Sequence, residues 1–161
     1  MAKNKFSLDF GGFMDYARVI DERLGTKALQ DAATEALDKS AMQANINISL
    51  AMEKSPYSFK SGQHYSKGKA KKSLAETAKK GVEVNGTQIT AYAGVDLSEA
   101  PEVIILASGT PHLKADTNLK NAVKCKGKYR KQVMQIQQQV FFDKVQGAAK
   151  AGETLGDILG E

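Results

Sequence analysis

The chain of 161 residues holds one cysteine, Cys125, so no disulfide can form within it and the small crosslinked secreted scaffolds are excluded. Cys125 is expected to be a free thiol. With only two histidines, His64 and His112, the paired spacings of a zinc site are missing, and the acidic residues are too scattered for a calcium loop. No metal and no other cofactor is expected. Long apolar runs are absent as well: the longest run of large apolar side chains, 103–106, is far short of the roughly 20 residues that cross a bilayer, so no membrane partner is expected. Lys3 and Lys5 are followed by Ser7, Asp9 and two glycines before any apolar stretch can form, which does not read as a signal peptide, so the chain is expected to be used in the cytoplasm or built into something assembled there.

What remains is the composition of a folded globular protein, 42% hydrophobic and 25% charged, with 14 glycines and 3 prolines. A chain of this length buries roughly 70% of its unfolded surface, enough for one core without metal or crosslink. The net charge of +5 hides a pattern. Residues 1–53 carry six bases against eight acids (−2), 54–80 eight against one (+7), and 81–110 none against four (−4). Residues 111–131 carry seven against one (+6) and 132–161 two against four (−2). Such blocks can meet a polyanion through their basic parts, or other copies of the chain, plus against minus.

Leu29, Ala32, Ala33, Ala36, Leu37, Ser40, Ala44, Ile48 and Ala51 recur at three- and four-residue steps. This predicts a long amphipathic helix over about 27–53, capped by Thr26 and stopped before Pro56. Its alanine seam allows close approach of a partner element. Met42, Ile46 and Leu50 form a second apolar line, which predicts that its C-terminal half is covered on two sides. A shorter helix is expected over 13–24, a long exposed basic loop over 55–68, and a helix over 69–80 ended by Gly81. Val82 and Val84, then Asn85-Gly86, then Ile89, Ala91, Ala93 and Val95 predict a hairpin turning at Asn85-Gly86. The β-branched run 102–107 reads as a third, buried strand. A turn or two of helix is expected over 116–124. After Gly127 a long helix follows, with Val133, Ile136, Val140 and Phe141 toward the core and glutamines 135, 137, 138 and 139 on a polar face. The expectation is one α+β domain over 1–147, an antiparallel sheet of three or four strands packed on a long N-terminal helix with a further C-terminal helix, and a flexible tail over 148–161.

No set of nucleophile, base and charge-stabilising group stands out, so no catalytic residue is assigned and an enzyme is not expected. The Gly62 to Gly68-Lys69 run has one residue too many for a phosphate-cradling loop, and a turn-rich segment precedes it where a strand is needed. The basic stretch is more informative. Lys67, Lys69, Lys71, Lys72, Lys79 and Lys80, near Tyr57, Phe59 and Tyr65, put positive charge beside aromatic rings. That combination contacts a phosphate backbone or a protein partner, without the arginine forks that read bases.

The order of elements and two short strings, Gly68-Lys69-Ala70-Lys71-Lys72-Ser73-Leu74 and Ser108-Gly109-Thr110-Pro111, carry a resemblance over about residues 26–145. The chain resembles the tail-completion, or head-tail joining, proteins of long-tailed bacteriophages. Gly68, Ala70 and Ser73, then Gly109 and Thr110, stand at the family's motif positions. It departs from them where Pro56 lies twelve residues before Gly68 and where Ala107 and Ser108 precede the Gly-Thr pair. The resemblance implies a non-enzymatic virion subunit of the tail and neck, assembled in the host cytoplasm. It would form a ring of six copies and meet neck or connector proteins, the tail-tube protein and the DNA in the channel. The alternative reading from the residues is a small basic protein that binds nucleic-acid backbone without sequence specificity.

Overall fold

A computed structural model describes the backbone of residues 5–6, 25–57, 68–86 and 88–159, and the side chains of 25, 27–57, 68–86 and 88–148. The helix expected over 13–24, most of the basic loop, His64 and Lys67 lie outside the described residues.

Helix α1 (Thr26–Glu53) follows the predicted span. Its seam is buried as the spacing requires, with Ala32, Ala36, Ala44, Ile48 and Ala51 all in the core. The expected cap is displaced by one residue: Gly25 takes the cap position without a side-chain bond, and Thr26 is the first helical residue. Helix α2 (Lys69–Lys79) buries Ala70, Ser73 and Leu74. Strands β2 (Val82–Asn85) and β3 (Gln88–Tyr92) form an antiparallel hairpin, and two residues, β1 (Lys5–Phe6), pair along the other edge of β3. The turn also differs by one residue from the expectation. Asn85 pairs with Gln88, so Asn85 still belongs to its strand and the turn begins at Gly86. Gly86 has φ +61°, the conformation a tight hairpin needs at its first turn position, and glycine adopts it without strain.

The third strand expected over 102–107 is a helix, α3 (Glu102–Ser108). Its apolar run buries Val103, Leu106 and Ala107, three and four residues apart, while Ile104 and Ile105 face out. A short run of branched residues has no period of its own, so its ends decide. Pro101 at φ −63° fits a helix start, Glu102 places an acid in the first turn, and Gly109 stops the helix. Helix α4 (Thr117–Val123) is capped by Asp116, whose carboxylate accepts from the Leu119 N–H at 3.0 Å.

Helix α5 (Lys128–Leu159) lies antiparallel to α1: Ala32 and Ala36 pack with Phe141 and Val145, whereas Leu37, Ala41 and Ala44 pack with Val133. Burial recurs every four residues, at Tyr129, Val133, Gln137, Phe141 and Val145. Gln137 is therefore in the interface, not on the polar face predicted for the glutamines. Ile136 and Val140 are half-buried at its margins. The helix also continues as far as Leu159, within the stretch expected to be a tail, since Ala, Lys, Glu and Leu there favour helix even where the apolar pattern has ended. The architecture is mixed α+β, with a long first helix, a small antiparallel sheet and a long last helix. The larger core cluster joins the C-terminal half of α1 to α2, α3 and α4, through Met52, Leu74, Leu106 and Leu119. Truncating a fully buried Leu106 or Leu119 to alanine would cost about 2–5 kcal/mol. Among the described residues no helix is long and apolar enough to cross a membrane.

Candidate functional site

The lysines singled out in the sequence divide by the helical period. With Ala70, Ser73 and Leu74 turned inward, Lys69, Lys72, Lys79 and Lys80 are exposed. Lys71 sits at the margin of the buried side and reaches Glu53 at the end of α1, 3.6 Å away. Lys72 lies 3.8 Å from Glu76 one turn on. Exposed pairs at such distances are worth at most about 1 kcal/mol, so they leave the positive character of this face in place. A second basic surface flanks α4 and runs into the start of α5, where Lys114, Lys124, Lys126, Lys128, Arg130 and Lys131 are all exposed.

The motif positions act as folding points. Gly68 is left-handed, at φ +77°, where α2 begins. Ser73 is buried, and its hydroxyl accepts from the Asp96 N–H at 2.8 Å. Asn45 of α1 holds the same connection two residues earlier, its side-chain oxygen accepting from the Gly94 N–H at 2.9 Å. Together they fix the path from β3 to α3. Gly109 ends α3 at φ +76°, ψ 174°, and a Cβ there would stand 2.7 Å from both the Leu113 carbonyl oxygen and the Ala115 amide nitrogen. Thr110 closes the next turn by exchanging two backbone bonds with Leu113. His112 is exposed in that turn, its N–H donating to the Thr110 hydroxyl.

The base of the basic loop is fastened by polar bonds. Ser55 donates to Asp116 at 2.6 Å, and the Tyr57 hydroxyl donates to the Lys114 carbonyl at 2.6 Å. Asp116 is thus shared between α4, which it caps, and the segment leaving α1.

One feature of this surface was not legible from spacing alone. Met42, Ile46 and Leu50 are not covered on a second side: they remain 57%, 41% and 46% exposed. Met42 and Ile46 form one wall of an open groove of about 450 Å³ between α1 and α2, with Ala75 and Ala78 on the other wall and Tyr92 at its margin. The Tyr92 hydroxyl donates to Glu83 at 2.7 Å, and that bond, then desolvation and then the Glu83 charge, raise the phenol pKa above its ordinary value. Ile104 and Ile105 form a second exposed apolar patch on α3, at 46% and 48%. Among the described residues no group of three or more histidine, cysteine or acidic side chains could hold a metal ion.

No family model, no curated protein and no solved structure matches this chain. Its chemistry is therefore read from its own surface: charged helix faces, an apolar groove and an apolar ridge.

Proposed function

We propose that this chain is a structural subunit of a long-tailed phage virion, which completes the tail and joins it to the capsid neck as a ring, six copies in number. The observation that carries the reading is the unfinished exterior of α1. Three large apolar side chains at helical spacing stand exposed beside the lysine face of α2, a combination that a neighbouring protein surface completes. The resemblance in element order and in the Gly68–Ser73 and Gly109–Thr110 strings supports it. Its partners would be copies of itself, neck or connector proteins and the tail-tube protein, with the lysine surfaces facing those proteins or DNA in the channel.

The reading is tested by light scattering and electron microscopy of the full chain over a concentration series. Closed rings are expected, with little response to added DNA. A chain that stays monomeric at every concentration removes the ring. The second reading, backbone binding to nucleic acid, draws on the exposed lysines of α2 and on the exposed basic residues that flank α4 and begin α5. It requires a DNA complex whose affinity falls steeply as salt rises.

A further inference from the structure

The two basic surfaces differ in what answers their charge. On α2, Lys71 lies 3.6 Å from Glu53 and Lys72 lies 3.8 Å from Glu76, and Glu76 and Glu99 line one surface hollow with Lys69 and Lys72. Acid and base are interleaved there. The junction of α4 and α5 has no such compensation. Asp116 is the one acid in residues 111–131, and it is buried, its carboxylate accepting from the Ser55 hydroxyl and the Leu119 N–H. Among the described residues, none of Lys124, Lys126, Lys128, Arg130 and Lys131 has a carboxylate within ion-pair distance. The next acid on α5, Asp143, stands about 18 Å along the helix from Lys131, well beyond the Debye length of about 8 Å at physiological salt.

The junction also holds these five cations together. Cys125 and Gly127 are both left-handed, at φ +47° and +59°, and the Lys126 N–H donates to the Asn121 carbonyl at 2.8 Å, which folds the turn back on α4. The Tyr129 hydroxyl donates to Asn118 at 2.7 Å and fastens the first turn of α5 to the same helix. That turn carries Lys128, Arg130 and Lys131 and no acid, although the helix dipole opposes a cation at the start of a helix. Like charges are crowded where the isolated chain gains nothing from them, and a polyanion relieves the crowding.

We propose that the α4–α5 junction, rather than α2, is the surface that meets the phosphate backbone of duplex DNA; the place of contact, the channel, rests on the reading of the chain as a ring subunit. Ring assembly itself does not depend on the duplex. The residues present select a duplex over a single strand. Between Leu113 and Lys131 the one aromatic ring is that of Tyr129, which is buried and has the Lys128 Nζ 5.0 Å over it, so no open ring face is offered for bases to stack on. A single arginine among lysines supplies point charges for phosphates and little means of reading base edges, so the contact is independent of sequence.

The test measures binding of a labelled DNA duplex to the full chain by fluorescence anisotropy over a salt series, at a dilution where light scattering finds single copies. In Lys124→Gln/Lys126→Gln/Lys131→Gln, affinity should fall at least about tenfold, and the slope of log affinity against log salt should shrink by about 3. Lys69→Gln/Lys72→Gln/Lys79→Gln removes the same charge from α2 and should stay within about threefold of the native affinity. Both variants should melt as the native chain does, because the replaced side chains are exposed. An α2 variant that loses as much as the junction variant, or a single strand that competes better than unlabelled duplex of equal length, overturns the assignment. A native chain that forms rings and binds no duplex at any salt overturns it too and leaves the ring standing. One that binds duplex through the junction and never forms rings removes the ring and leaves the junction surface.

Discussion

Gly109 is the residue at which the backbone permits least. Its φ of +76° with ψ near 174° is a region reserved for glycine, and a Cβ would press on two backbone atoms at 2.7 Å, neither of which can swing aside. Gly109→Ala should therefore destabilise by at least about 2 kcal/mol, lowering the melting temperature by roughly 4–8 °C in calorimetry. An unchanged melting temperature would show that this turn is not held as described. Cys125 offers a test of another kind. Burial pushes its thiol up from the ordinary value, and Arg130 pulls it part of the way back. A raised value means that the reactive thiolate forms only at higher pH. The alkylation rate of the native protein should rise with a midpoint above that of the urea-unfolded chain. A midpoint below it would mean that the arginine, not burial, governs the thiol.

The two long helices pack through a seam of small residues, and a polar side chain is buried within it. Gln137 is buried between α1 and α5, and its amide nitrogen has no hydrogen-bond partner. Gln137→Met keeps the length of the side chain and removes the orphaned group, so stability should rise by about 1 kcal/mol, read as a shift of the denaturation midpoint at constant slope. A fall would mean that the amide is satisfied in solution. The same elements show where the sequence speaks plainly. A 3.6-residue period sustained over seven turns marks α1 beyond confusion, and Gly86 announces the hairpin to within one residue. Seven residues of α3 are too few for a period to show, and the local preference of Val103, Ile104 and Ile105 for strand was overridden by burial of one helical side against Leu119 and Ala51. The burial of Gln137 is not legible in the sequence, because a polar side chain says nothing about which neighbours pack over it. The exposed lysines of α2 were legible, since charge and period agree. The groove was not: it exists only because α2 packs beside α1 without covering Met42 and Ile46, a tertiary outcome that no spacing encodes.

At the scale of the whole molecule, the lysine face of α2 lies beside the exposed apolar line of α1. Replacing Lys69, Lys71 and Lys72 together by glutamate reverses one face without touching the core. The Lys71–Glu53 pair lost with it is exposed and worth at most about 1 kcal/mol. Circular dichroism and melting should stay close to the native chain, whereas ring assembly, or DNA binding if that is the role, should be lost. Unfolding of the triple variant would place these lysines in the core, against their exposure.

The clasp of Ser55, Tyr57, Lys114 and Asp116 bears on the same scale. Along the chain from Tyr57 toward α1, the Tyr57 bond to the Lys114 carbonyl comes first and the Ser55 bond to the Asp116 carboxylate, which also caps α4, comes next. Breaking the Ser55–Asp116 bond would leave the Asp116 carboxylate still capping α4 through the Leu119 N–H, so the end of α1 can part from α4 without ending that helix.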